Sequence, residues 1–110
     1  MNTTDAVIAA PNSHKVLLEN DNVRVVEVVI LPGQKEPMHT HEWPSVMIVD
    51  SSTKIKYYTE SNEGIEYPEK ETTKEKPFLE WLAPEALHAV ENLDQSKTYH
   101  AIRIEIKQKN

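Results

Sequence analysis

The chain has 110 residues, a formal net charge of −6 and no cysteine. That length fits one domain, and the missing cysteines exclude a disulfide framework, a thiolate metal site and a cysteine nucleophile. No Lys/Arg cluster interrupts the acidic balance, so no nucleic-acid partner is expected. The amino-terminal stretch lacks the basic start of a secretory signal, and no segment approaches membrane-spanning length. A cytoplasmic protein without a membrane partner is therefore expected.

Residues 1–14 show no clear period and read as an N-terminal arm, with the folded domain over 15–110. A short strand is expected over Lys15 to Glu19, closed by a turn at Asn20-Asp21-Asn22, residue types that tolerate left-handed backbone and bond locally. Val23 to Leu31 is rich in Val and Ile, with Arg24 and Glu27 as its only charges, and reads as a mostly buried strand. Pro32-Gly33 ends it. Strands then start at Met38 to Trp43 and at Val46 to Val49. Pro44 lies between them, cannot donate to a ladder, and marks a bulge or an edge. Lys54 to Thr59 alternates, with Ile55, Tyr57 and Thr59 on one face. Residues 60–77 are dense in Glu and Lys and read as a solvated excursion with a hairpin near Asn62-Glu63-Gly64. Phe78 to Leu82 is another strand, followed by a turn at Pro84-Glu85-Ala86, a short strand from His88 to Val90 and a turn over Asn92 to Ser96. Tyr99 to Lys107 alternates: His100, Ile102, Ile104 and Ile106 face one way, Arg103, Glu105 and Lys107 the other. Many short strands with no sustained helical period argue for an all-β sandwich or barrel.

The segment from Gly33 to His41 carries the chemistry. Residues two apart on a strand share a face, so His39 and His41 can present both imidazoles to one point inside a barrel. Neutral imidazole is the commonest nitrogen ligand for first-row divalent metals. A third ligand must come from a distant strand, and His88, opening a strand after the Pro84 turn, is the natural candidate.

With these residues the chain resembles the cupin superfamily over roughly residues 20–107. Gly33, His39 and His41 match the first cupin motif in spacing, while its Glu position falls at Ser45 or Val46 and its closing Gly is missing. Pro84, His88 and Asn92 follow the order of the second motif, with a Pro-to-His interval one residue short and both glycines absent. Stretches such as "NDNVRVVEVVILPG" and "HAVEN" look like small stand-alone bacterial cupins. The resemblance implies a single cupin-type β-barrel (a double-stranded β-helix or jelly roll) holding a divalent metal through His39, His41 and His88. Three neutral imidazoles leave the metal's charge uncompensated and positions open, which favours an anionic or enolisable oxygen ligand. The three-His pattern is similar to that of cupin dioxygenases that use Fe(II), so iron is favoured, with Mn, Ni, Zn or Cu as alternatives.

The expected function is a metal-dependent enzyme acting on a small oxygen-rich or anionic molecule, dioxygenase-like or isomerase-like. A non-catalytic ligand-binding or sensor cupin and a structural barrel with a vestigial site are the alternatives. His100 and Tyr57 are the proposed acid/base residues. His100 shares a face with Ile102 and Ile104 and is otherwise a buried core histidine. Tyr57 and Trp81 alternate inward and can line a pocket or simply fill the core. Met47 keeps the inward parity of the histidines and reads as core. Glu42 reads as surface, and Glu91 is a weaker candidate for orienting a ligand imidazole. Trp43 and Tyr58 are placed at an intersubunit surface, since a homodimer protects exposed strand edges.

Overall fold

A computed structural model describes residues 3–107. Among them two antiparallel sheets face each other. One contains β1 (His14–Glu19), β2 (Val23–Ile30), β4 (Ser45–Ser51), β7 (Phe78–Leu82) and β9 (Tyr99–Ile106), in the order β1-β2-β9-β4-β7. The other contains β3 (His39–His41), β5 (Ile55–Thr59), β6 (Gly64–Tyr67) and β8 (Glu85–Asn92), in the order β3-β8-β5-β6. This is the all-β, double-stranded β-helix architecture that the resemblance implied.

Local chemistry sets the corners. Gly33 has φ 72° in the turn where the Gln34 N–H donates to the Leu31 carbonyl at 3.0 Å; a residue without Cβ takes that backbone freely. In the β5–β6 hairpin the same left-handed conformation falls to Asn62, at φ 64°. Pro44 sits where the chain leaves the four-stranded sheet for the five-stranded one. Its absent donor costs nothing there, and its carbonyl accepts from the Ile106 N–H at 2.9 Å. A register shift between Val16 and Leu18 kinks edge strand β1, which blunts an otherwise open edge.

The core lies between the sheets. Val28, Ile30, Met47, Val49, Tyr99 and Ala101 form its buried cluster, with Ile55, Phe78, Leu82 and Val90 packed against it. Each large aliphatic side chain so buried contributes about 1.5–3 kcal/mol. Charged groups share this interior. Arg24 and Glu105 are buried on the inner face, where the guanidinium donates from Nε and Nη2 to Glu105 at 2.9 Å and from Nη2 to Asp5 at 2.8 Å.

Two expectations are corrected here. In β9 the buried residues are Tyr99, Ala101, Arg103 and Glu105, so His100 and the three isoleucines face outward. The period of two was right and the face was inverted, because paired charges occupy the inside. Trp81 likewise points out and is 63 % exposed, while Phe78 and Leu82 of the same strand pack on the core. The described part of residues 1–14 lies against the barrel. Helix α1 (Ala6–Ala9) is capped by the Asp5 side chain, which accepts from the Val7 N–H, the Thr40 N–H donates to the Thr4 carbonyl at 2.7 Å, and β1 begins at His14.

Candidate metal centre

Strand β3 is only His39-Thr40-His41, and its period of two turns both imidazoles inward, where the two residues are 0 % and 2 % exposed. The ladder to β8 sets His39 opposite His88 and His41 opposite Glu85. Ring centroids of His39 and His88 are 4.4 Å apart, those of His39 and His41 5.0 Å, and those of His41 and His88 5.2 Å. A residue outside the expected set joins them: the His14 ring lies 4.8 Å from His39 and 5.5 Å from His41. Ligand atoms of His14, His39 and His41, and of His41, Glu85 and His88, fall within 4.8 Å of one another in each group.

Backbone carbonyls orient the rings. His39 Nδ1 lies 2.7 Å from the Pro37 carbonyl, His88 Nδ1 2.9 Å from that of Ala86, and His14 Nδ1 3.2 Å from that of Ala10. A carbonyl only accepts, so in each ring Nδ1 carries the proton and Nε2 presents a lone pair, the support typical of ligating histidines. Burial holds these groups neutral. It lowers His14 to about 3 and His39 to about 4, and it lowers His41 and His88 as well. Neutral imidazole is the form that binds metal.

The donor set fits a divalent cation. His39 Nε2 and His41 Nδ1 are buried without a hydrogen-bond partner among the described residues, a costly state for polar nitrogens. His88 Nε2 faces Glu85 Oε2 at 3.2 Å, acceptor against acceptor, a pairing that a cation between them makes favourable. Imidazoles with a carboxylate suit a first-row metal better than calcium or magnesium, which take oxygen ligands.

Glu85 corrects a further expectation. No carboxylate stands at the Ser45/Val46 position, but that of Glu85, the first residue of β8 rather than part of a turn, reaches within 4.8 Å of the ligand atoms of His41 and His88. Ser45 instead accepts from Arg103 Nε at 3.0 Å, and Arg103 Nη2 donates to Glu85 Oε1 at 2.7 Å. Burial pushes the Glu85 carboxyl up, but the Arg103 guanidinium and then His88 outweigh it and leave its pKa below the usual range. Glu36, buried beneath His39, is raised by burial to about 7, against the hydrogen bond from Ser13. Its position three residues before His39 was the only available signal, and His14 had none.

The centre opens into a cavity of about 280 Å³. Its walls are apolar, from Val28, Val49, Ile55, Phe78 and Val90, and Tyr57 sits among the polar residues. The Tyr57 ring stacks on His88 with centroids 5.0 Å apart and planes at 7°, and its hydroxyl donates to Glu85 Oε2 at 3.0 Å. Burial first, and then Glu85, raises its pKa and holds the phenol protonated. Met47 is buried with its sulfur 3.9 Å from Arg103 Nη1. Glu42 is exposed. Glu91 is turned away from the centre and accepts from the Tyr58 hydroxyl at 2.7 Å. Trp43 and Tyr58 carry cations of their own chain, Arg24 at 5.1 Å and Lys35 at 3.8 Å.

His100 is withdrawn as a catalytic candidate. On the outer face it bridges two carboxylates, with Nδ1 to Asp50 and Nε2 to Glu27 at 2.8 Å. Burial disfavours its charge, but the bonds it donates to Asp50 and Glu27 prevail and raise the pKa above the usual 6.5. Its stabilisation is therefore complete below pH about 6.5 and fades as pH rises through the folded value. His100→Gln is expected to cost about 1 kcal/mol at pH 5.5 and progressively less above neutrality, read from urea midpoints across pH. An equal cost at all pH values contradicts the charged bridge.

No protein-family model matches the chain, and no curated protein matches it in sequence. Solved structures do. A cupin domain from Bordetella pertussis Tohama I aligns at 19 % identity over 86 % of this chain and 92 % of that one, with TM-score 0.72. An RmlC-like cupin family protein with a double-stranded β-helix fold, from Methanocaldococcus jannaschii, aligns at 14 % identity over 84 % and 77 %, with TM-score 0.60. The polyketide cyclase RemF from Streptomyces resistomycificus aligns at 15 % identity over 86 % and 64 %, with TM-score 0.56. At these identities the likeness is one of fold, and the chain is a small protein of the cupin fold whose barrel encloses a cluster of histidines.

Proposed function

We propose that this barrel is a metal-dependent enzyme for a small, largely apolar molecule bearing an enolisable carbonyl, acting by proton transfer rather than by oxygen insertion. His39, His41 and His88 would hold a first-row divalent ion. When bound, the ion supplies Lewis-acid polarisation of a carbonyl oxygen. Dioxygenase chemistry was expected from a missing carboxylate, and the nearness of Glu85 to His41 and His88 weighs toward proton transfer instead. The observation that carries the reading is the Tyr57–Glu85 pair against His88. Arg103 keeps Glu85 ionised, so its carboxylate can accept a proton. Tyr57 Oη is held protonated beside it and can return one, a division of roles set by environment. The apolar walls match a hydrocarbon body. Polyketides are rich in enolisable carbonyls, so the fold likeness to a polyketide cyclase supports the same class.

The test is deuterium uptake from solvent at the α-carbon of 1,3-diketones, hydroxy ketones and 2-oxo acids, followed by NMR with metal-loaded protein while oxygen is monitored. Exchange without oxygen uptake is the expected result, and Tyr57→Phe should slow it about 100-fold or more. Oxygen consumption without exchange would favour the dioxygenase reading, and a co-purifying ligand with no turnover would favour a binding protein.

We also propose a homodimer through the outer face of the five-stranded sheet. Leu18, Val25, Ile104, Val46 and Trp81 are successive cross-strand neighbours there. Leu79 and Trp81 are 61 % and 63 % exposed, a patch of the kind that marks interfaces. The protein is expected to sediment as a dimer and Trp81→Glu as a monomer; a wild-type monomer at all concentrations refutes the pairing.

A further inference from the structure

Given the metal-binding barrel proposed above, we propose that His14 is a fourth metal-ligating imidazole, so that the metal staples the two sheets together and clasps the N-terminal segment to the barrel. His39, His41 and His88 all belong to the four-stranded sheet, whereas His14 opens β1 of the five-stranded one. His14 is buried and lines the same cavity. Its Nδ1 is engaged by the Ala10 carbonyl at 3.2 Å and the Ser13 hydroxyl at 2.9 Å. A ligand atom of His14 lies within 4.8 Å of those of both His39 and His41.

The surroundings fix that ring. Ser13 Oγ donates to Glu36 Oε2 at 2.8 Å, the Val29 N–H donates to the Ser13 carbonyl at 3.0 Å, and the Ser13 N–H reaches the Ala10 carbonyl at 3.3 Å. Upstream, the segment lies beside the His-x-His strand, through the Thr40–Thr4 hydrogen bond and the Asp5–Thr40 bridge. A bond from His14 to the metal joins these anchors and couples the ends of β1, β3 and β8. Losing the metal would then loosen residues 5–14 before the rest of the barrel.

The experiment uses the full chain with Zn(II) and Co(II) at one pH. X-ray absorption on wild-type protein counts imidazole ligands without any substitution, and four are expected. His14→Gln should weaken Zn(II) binding about 100-fold or more, beyond the loss of a ligand's support, remove one imidazole from the count and abolish metal-dependent protection of backbone amides between residues 8 and 15 in hydrogen exchange. If wild type shows three imidazoles, and His14→Gln binds as tightly as wild type while His88→Gln loses the metal, His14 is no ligand and the three-histidine site stands. If wild type binds no Zn(II), or neither His14→Gln nor His88→Gln changes binding, the metal site itself fails.

Discussion

Arg24→Met is expected to lower the unfolding free energy by about 3–5 kcal/mol, a large share of the roughly 5–15 kcal/mol that holds a domain of this size folded. The guanidinium is buried between Glu105 and Asp5, bonding the first at 2.9 Å and the second at 2.8 Å, and all three residues are at most 4 % exposed. Methionine fills much of the volume but leaves two carboxylates facing each other out of water. Burial already raises the Glu105 carboxyl above the usual range, so its proton uptake is the cheapest relief and the deficit should shrink as pH falls. Adding Asp5→Asn and Glu105→Gln should recover part of the loss at neutral pH, since the damage comes from unpaired charge rather than from missing attraction. Urea unfolding of the single and triple variants reads both effects. A single variant within about 1 kcal/mol of wild type would mean that the network is not part of what closes the barrel.

Metal addition is the second large effect. With free Zn(II) at about 100 times its Kd, wild-type protein gains about 2.7 kcal/mol, a rise in melting temperature of roughly 10 °C or more for a small domain. His88→Ala should abolish that gain and weaken binding by about 100-fold or more, because it removes a ligand rather than a ligand's support. His100→Gln, on the outer face, should leave the gain intact. Thermal melts with metal and with chelator separate the two variants. A wild-type midpoint insensitive to both additions would sink the metal centre and, with it, the chemistry proposed for Tyr57 and Glu85.

These expectations use parts of the molecule that were unequally visible in the chain. His39 and His41 announce a shared face through their spacing. His88 stood out because it opened a strand after a proline turn, and the ladder between β3 and β8 brings it opposite His39. Glu85 was hidden in an apparent turn, since a register shift beside it breaks the spacing from which a face is inferred. His14 gave no signal, because its approach to the site depends on an N-terminal segment with no period of its own.

Local patterning was enough for the all-β class, most strand positions, the corners at Gly33 and Asn62, and the histidine pair, since turn chemistry and side-chain alternation act over a few neighbouring residues. Which side of each strand lies inside could not be read that way. In β9 an isoleucine face and a charged face alternate equally well, and the inner one is settled by partners far along the chain, Arg24 for Glu105 and Glu85 for Arg103. The site as a whole, with His14 and Glu85 beside the three expected histidines, exists only where two sheets close over one another, because contacts of that range come from packing rather than from spacing.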